Sequence, residues 1–458
     1  MLARLVELFR RLVAAVTRTR SVSSPDEARA RLEVIPRDEH PVSRKNISRG
    51  ALKTLYGLHE AGYEAYLVGG CLRDLLTGGE PKDFDVVTDA TPEEVKEVFR
   101  RARIIGRRFR LVHVRFGPEV IEVATFRAAH DPEAPQTARS DEGMLLRDNV
   151  YGTIEEDAIR RDFTINALYY NIADFCLYDF LGSLRDLDDG MIRLIGDPET
   201  RYREDPVRML RAARFAAKMD FRIAPETEAP IHELRELLRD VPPARLFDET
   251  LKLFMTGYGH RSMIQMQRLE LLEMLFPHTQ GALDEDDQGQ VQTLIEAALH
   301  NTDRRINRNK PVTPAFLLGV LLWPVVRNAM APYLDDGQPQ VQALHAAAGD
   351  VLQNQNAVVA IPKRFSVVMR DIWELQFRLG KRKGNQAERL LEHRRFRAAY
   401  DFLLLREQSG EIEPGLGEWW TQYQDADETE RRNMVQALGG KKRNKRGGRR
   451  RKRKPAAS

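Results

Sequence analysis

The sequence predicts an α/β head, a mixed sheet with helices, followed by an elongated all-helical neck and body and a disordered basic tail. Three observations predict it. Ala65 to Thr88 reads AYLVGGCLRDLLTGGEPKDFDVVT: a strand, a Gly-Gly turn, a short helix, a loop and a second strand. From about Pro225 onward the apolar residues recur only at helical spacing. Lys441 to Lys454, KKRNKRGGRRRKRK, places 11 Lys or Arg among 14 residues with no acid, too polar to fold alone.

Length and composition set the bounds. A chain of 458 residues suits about two to four domains. The expected divisions are an extension and linker over 1–45, the head over 46–195, a neck over 196–260, the body over 261–425 and the tail over 426–458. Net charge is only +4, but without the basic run it would be −7. The body is thus mildly acidic, and the tail suits phosphate backbones. Two cysteines, Cys71 and Cys176, exclude a disulfide framework or a Cys-based zinc site and fit a reducing compartment. No segment is expected to span a membrane, because the longest apolar run, Pro314 to Val326, is interrupted by Gly319 and Pro324. The N-terminal MLARLVELFRRLVAAVTRTR is an amphipathic basic helix candidate, read as a frayed or locally packed extension, with contact to a membrane surface as the other reading.

The first half of the chain carries the chemistry. Gly69 and Gly70 allow a sharp turn and close approach to a ligand. The helix start after them, with Arg73, suits phosphates. Asp83 and Asp85 share one face of an extended segment from Lys82 to Thr88, and two adjacent carboxylates repel unless a cation sits between them. That pairing points to metal-assisted phosphoryl or nucleotidyl transfer. Residues 21–45 read as a linker, and 48–61 as a helix. Thr91-Pro92-Glu93-Glu94 reads as a capped helix start. Residues 107–127 read as a hairpin turned at Gly117-Pro118. Glu122 lies mid-strand, where an acid needs either a partner or water. Residues 128–157 read as a mobile loop, and Arg160 to Asn171 as the entry to a helix. Asp205 and Arg208 lie three apart behind Pro206, either as a surface ion pair or as an acceptor and donor able to read an adenine edge.

The stretch LVGGCLRDLLTGGEPKDFDVVT resembles the signature of the class II nucleotidyltransferases, the family of tRNA CCA-adding enzymes and bacterial poly(A) polymerases. RRDFTINAL and EDPVRMLRAARF resemble two further motifs of the family, and the likeness covers roughly residues 50–260. The resemblance implies an α/β nucleotidyltransferase head in which Asp83, Asp85 and Glu122 hold two Mg²⁺ ions (or Mn²⁺). It implies Asp162 as a catalytic residue. Triphosphate and nucleotide contacts would come from Gly69, Gly70, Arg73, Arg127, Arg160, Arg161 and Asn166. Base selection would fall to Asp205 and Arg208, with Arg211 and Arg214 beside them. In the body, Lys381, Arg382, Lys383, Arg394 and Arg395 lie near Phe396 and Tyr400, a pattern either for single-stranded RNA or for a solvated helix face. In the tail Lys441, Lys442, Arg443, Arg449, Arg450 and Arg451 are the expected RNA contacts. DNVYGTIEEDAIRRDFTINALYYN, AIPKR and LLEHRRFRAAYD are similar to the poly(A) polymerase subfamily. That likeness implies a monomeric enzyme in the cytoplasm, peripheral to the inner membrane if the N-terminal helix binds it. Its reaction would be the addition of AMP from ATP to single-stranded RNA 3′ ends. It also implies RNA-degradation machinery and an RNA chaperone as partners. CCA addition to tRNA is the alternative, and a non-catalytic RNA-binding scaffold a third reading.

Overall fold

The computed structural model describes residues 22, 24–106, 110–128, 137–139, 145–148 and 150–438. The predicted tail contacts, Lys441 to Arg451, and the helix read at residues 1–20 lie outside the described residues. Two compact units divide the chain, one ending at Leu275 and the other beginning at Phe276.

The first unit is built on strands. In chain order these are β1 (Glu33–Ile35), β2 (Ala65–Val68), β3 (Asp85–Thr88), β4 (Ala102–Ile105), β5 (Leu111–Phe116), β6 (Glu119–Thr125), β7 (Thr137–Arg139), β8 (Leu145–Asp148), β9 (Leu168–Asn171) and β10 (Leu177–Asp179). β7 and β8 pair with each other. The other eight form one sheet in the order β1-β10-β9-β2-β3-β6-β5-β4. Within this sheet only β3 and β6 run parallel, and their register sets Asp85 opposite Glu122. All four residues of β2 are buried. At its end Gly69 adopts φ +78°, a backbone that L side chains rarely take, and the helix Gly70–Leu76 starts at once. The helix Arg49–Glu60 is capped by Ser48, and Pro92–Val98 by the Thr91/Glu94 capping box. Gly117, at φ +64°, turns the β5–β6 hairpin.

Four expectations are corrected. Residues 21–45 are no linker: β1 is an edge strand of the main sheet, and Ala28, Ile35 and Val42 are buried apolar anchors. Residues 128–157 hold the β7–β8 ladder and the helix Ile154–Ile159, whose Thr153/Glu156 capping box lay unread in the sequence. No helix opens at Arg160. Arg160 ends one, and Leu168–Asn171 becomes an interior strand, because a run buried on both faces has no helical period to distinguish it. The ladder of β3 starts only at Asp85, although Phe84 and Val86 are buried while Asp83 and Asp85 are exposed, so the predicted alternation is present.

Two further short strands, Met191–Ile192 and Arg222–Ile223, pair in parallel, and among the described residues every later element is helical. The second unit is organised around three fully buried tryptophans, Trp323, Trp373 and Trp420. Each indole N–H has a partner: Trp323 donates to Glu411 (2.9 Å), Trp373 to the Gly319 carbonyl (2.9 Å) and Trp420 to the Leu379 carbonyl (3.1 Å). Gly319 and Pro324 do not break the apolar run. The helix Pro314–Ala329 passes through both and is followed by Ala331–Asp335. Burial of Leu317, Leu318, Leu321, Leu322 and Val326 offsets the lost proline hydrogen bond. By length and composition alone Pro314–Asp335 is long and apolar enough to cross a membrane, but most of it is buried inside this unit. The tail does not begin at 426 either: Glu428–Ala437 is a helix capped by Asp427 and Glu430.

Candidate active site

A pocket of about 280 Å³ opens on the sheet of the first unit, and Asp85, Glu122, Arg127, Arg160 and Arg161 all line it. The two acids are register neighbours across the parallel β3–β6 pair. Although the residue as a whole is exposed, desolvation of its carboxyl among the surrounding protein atoms and then the charge of Glu122, with a smaller push from Asp83, raise Asp85 to about 6 against the pull of Arg161. Glu122 lies on an interior strand but reaches solvent, and its Oε1 is 3.3 Å from His113 Nε2. It therefore has both partner and water.

The arginines of the lining are fixed by their neighbours. Arg161 donates to Asp157 Oδ2 (2.7 and 3.1 Å) and to the Tyr169 hydroxyl (3.0 Å), which itself donates to Asp157 (2.9 Å). Burial disfavours the Arg161 charge, but Asp157 and Tyr169 outweigh it and hold the group charged. Arg201 donates to the carbonyls of Arg160 (2.7 Å) and Arg161 (2.6 Å), pinning the end of the helix Ile154–Ile159. Burial and crowding by Arg127, Arg201, Arg161 and Arg208 push Arg160 down to about 9. Such concentrated positive charge is relieved by a polyanion, and triphosphate is one. Asp157 and Tyr169 lie within the stretch DNVYGTIEEDAIRRDFTINALYYN, but no role is legible in the sequence for them or for Arg201. The i,i+4 spacing of Asp157 and Arg161 is the trace they leave there.

Asp162 is placed differently from the expectation. Its carboxylate accepts from Arg211 (2.7 and 2.5 Å), from Asn166 Nδ2 (3.1 Å) and from the Phe163 backbone N–H (2.8 Å). Asn166 in turn accepts from Arg73 (2.7 Å), Arg73 donates to Asp74 (2.7 and 2.9 Å), and Asp74 accepts from Lys218 (3.1 Å). Arg211 and Lys218 both belong to the helix Val207–Met219. A closed polar circuit thus clamps that helix to the Gly-Gly turn. Arg73 is buried and does not line the pocket, because Asp74 and Asn166 engage its guanidinium. Asp162 and Arg73 are positioning residues in this arrangement, and Asn166 joins them. Gly69 and Gly70 supply the turn.

Asp205 and Arg208 do not pair with each other. Asp205 accepts from Arg245 (2.7 Å), and Arg208 donates to Glu204 (3.1 Å) and the Arg201 carbonyl (2.6 Å). Arg214 lies over the Phe215 ring at 4.6 Å, a ring that Arg211 and Arg73 also approach. In the second unit Lys381, Lys383 and Arg394 are exposed and Arg395 is half-buried, 3.8 Å from Asp371. Arg382 lies over Trp419 at 4.8 Å. Phe396 and Tyr400 are core residues, so base stacking on them is ruled out.

Among the described residues no three or more His, Cys, Asp or Glu side chains come together as a metal cage. The donors still fit a divalent cation. Asp85 and Glu122 are hard oxygen ligands whose mutual repulsion raises the Asp85 carboxyl, and Mg²⁺ takes one or two carboxylates with substrate phosphates rather than a protein cage. A carboxyl raised to about 6 lowers stability as pH rises from its unfolded value, about 3.9, to about 6, the full penalty persists above that, and a cation relieves it. Mg²⁺ is therefore expected to raise Tm at neutral pH, with the gain shrinking as pH falls through about 6. A gain independent of pH in scanning calorimetry would refute the assignment.

Fold and pocket together define a nucleotidyltransferase. The CCA-adding enzyme of Bacillus stearothermophilus in complex with CTP has a similar fold, with TM-score 0.54 and 23% identity over 85% of this chain and 82% of that one. Residues 65–193 match the poly A polymerase head domain, 220–283 the probable RNA and SrmB-binding site of polymerase A, and 336–455 the polymerase A arginine-rich C-terminus. The poly(A) polymerase I of Escherichia coli O6:H1 is 50% identical over 430 residues, covering 92% of each chain. That of Haemophilus influenzae is 44% identical over 427 residues, 92% of this chain and 94% of the relative. The chain belongs to the bacterial poly(A) polymerase I family.

Proposed function

We propose that the chain is a polynucleotide adenylyltransferase that adds AMP from ATP to RNA 3′ ends without a template. The observation that carries this is the gathering of Asp85 and Glu122 with Arg127, Arg160 and Arg161 in the lining of one pocket. The arginines bind and orient the triphosphate, and Asp157, Tyr169 and Arg201 hold them in place. Asp83 and Asp85, with Glu122, would hold Mg²⁺, which when bound supplies a Lewis acid for the attacking 3′-hydroxyl and the leaving pyrophosphate. Asp205 and Arg208, each held by its own partner, offer a fixed acceptor and a fixed donor to the base. The exposed basic residues of the body, together with the basic residues of the tail, hold the RNA, and the enzyme works as a monomer in the cytoplasm. RNA turnover, with degradation enzymes and an RNA chaperone as partners, completes the proposal.

CCA addition is the second reading, favoured by the shared fold. The test compares ATP with CTP, on an unstructured RNA and on a tRNA lacking CCA. Long ladders with ATP alone on the unstructured RNA are expected; addition that needs CTP and the tRNA and stops after three nucleotides would overturn the proposal. Removing residues 441–458 is expected to weaken RNA binding and flatten its salt dependence, and an unchanged slope would show that the tail is not a main contact.

A further inference from the structure

A second cavity, of about 620 Å³, opens on the head at the hairpin end of β5 and β6 and shares no lining residue with the catalytic pocket. Its rim carries Arg49, Lys53, Arg100, Arg101 and Arg115, all exposed. Among the described residues none of these five makes an ion pair. Glu119 is the one acid lining it, and its Oε2 already accepts from the Gly50 N–H at 3.1 Å. Two half-buried rings line the same cavity, Phe99 and Phe116, edge to face at 6.3 Å. Lys53 lies 5.9 Å from the Phe116 centroid.

Unpaired cations around accessible rings match a nucleotide chain, whose phosphates take the charge while a base meets the aromatic surface. A site for a free nucleotide would need buried polar groups to fix the base, and here the cations are exposed and spread over separate elements. β6 brings Glu119 to this cavity and Glu122 to the catalytic pocket, and because residues three apart on a strand point to opposite faces, the two sites lie on opposite sides of the sheet. An RNA that reaches both passes round the β4 edge of the sheet, which Arg100 and Arg101 directly precede, and so must be longer than a trinucleotide. We propose that this cavity is a second RNA-binding site on the head, holding the strand upstream of the 3′ end while that end occupies the catalytic pocket. The proposal rests on RNA being the substrate.

The test is binding of the full chain to a long oligoadenylate and to a trinucleotide, by fluorescence anisotropy across a salt series. R100A/R101A/R115A is expected to weaken the long oligoadenylate about tenfold and to flatten its salt slope by about 2, the share of three single-strand phosphate contacts. Trinucleotide affinity, ATP affinity and AMP addition to the trinucleotide stay unchanged. R100K/R101K/R115K keeps the slope, because charge is what the site supplies. An unchanged slope in the alanine variant overturns the proposal, as does an equal loss for the trinucleotide or for ATP. Failure of the unaltered chain to add AMP to either RNA would instead sink the polymerase reading, which the binding data do not touch.

Discussion

Asp83→Asn is expected to lower AMP incorporation by about 10³-fold while leaving RNA affinity within about twofold. The substitution removes a charge next to Asp85 without altering shape, and Asp83 is exposed, so the fold has little reason to respond. Asp85→Asn is expected to behave alike, because Asp85 and Glu122 share a register position across two strands. Measured with ATP on an oligoadenylate primer, near-normal incorporation in either variant would refute the carboxylate-metal mechanism. Loss of RNA binding in parallel would show that these acids act through the fold.

The second large effect belongs to the circuit around Asp162. Asp162→Ala strands Arg211 without its carboxylate and takes an acceptor from Asn166. Breaking a buried pair on one side costs about 3–5 kcal/mol. Burial opposes ionisation of Asp162, yet Arg211, Asn166 and the Phe163 N–H hold its carboxyl well below the usual range. A depressed carboxyl stabilises the fold above its unfolded pKa, about 3.9, and that contribution is lost as pH falls through the folded value. The gap in stability between the wild type and Asp162→Asn should therefore be full at pH 7 and close only below about pH 4. Denaturant titrations at pH 7 and at steps well below pH 4 measure it. A gap that persists unchanged into acid would mean that ionic pairing is not what the circuit contributes.

Local signals in the sequence sufficed for several parts of the molecule. Strand, turn and helix at 65–76 follow from an apolar run ended by two glycines, the first of which takes a positive φ. The alternation of Asp83, Phe84, Asp85 and Val86 placed two acids on one face, and the Thr91 capping box marked a helix start. These need only period and cap chemistry, which act over a few residues. The family motifs marked which arginines and acids matter.

Tertiary structure decided what each of them touches. β1 joins the sheet through β10, nearly 150 residues later, and nothing in a polar stretch announces such a pairing. Leu168–Asn171 became a strand because its neighbours bury both faces. Arg160 and Arg161 are adjacent in sequence, yet Arg161 is engaged by Asp157 and Tyr169 while Arg160 is crowded by four other arginines. Asp205 found Arg245 rather than Arg208, and Asp162 found Arg211 rather than an open site. Sequence determines which groups are present and their local backbone. Partners are chosen by the packing of distant elements, where a buried charge settles on the donor that best repays its desolvation.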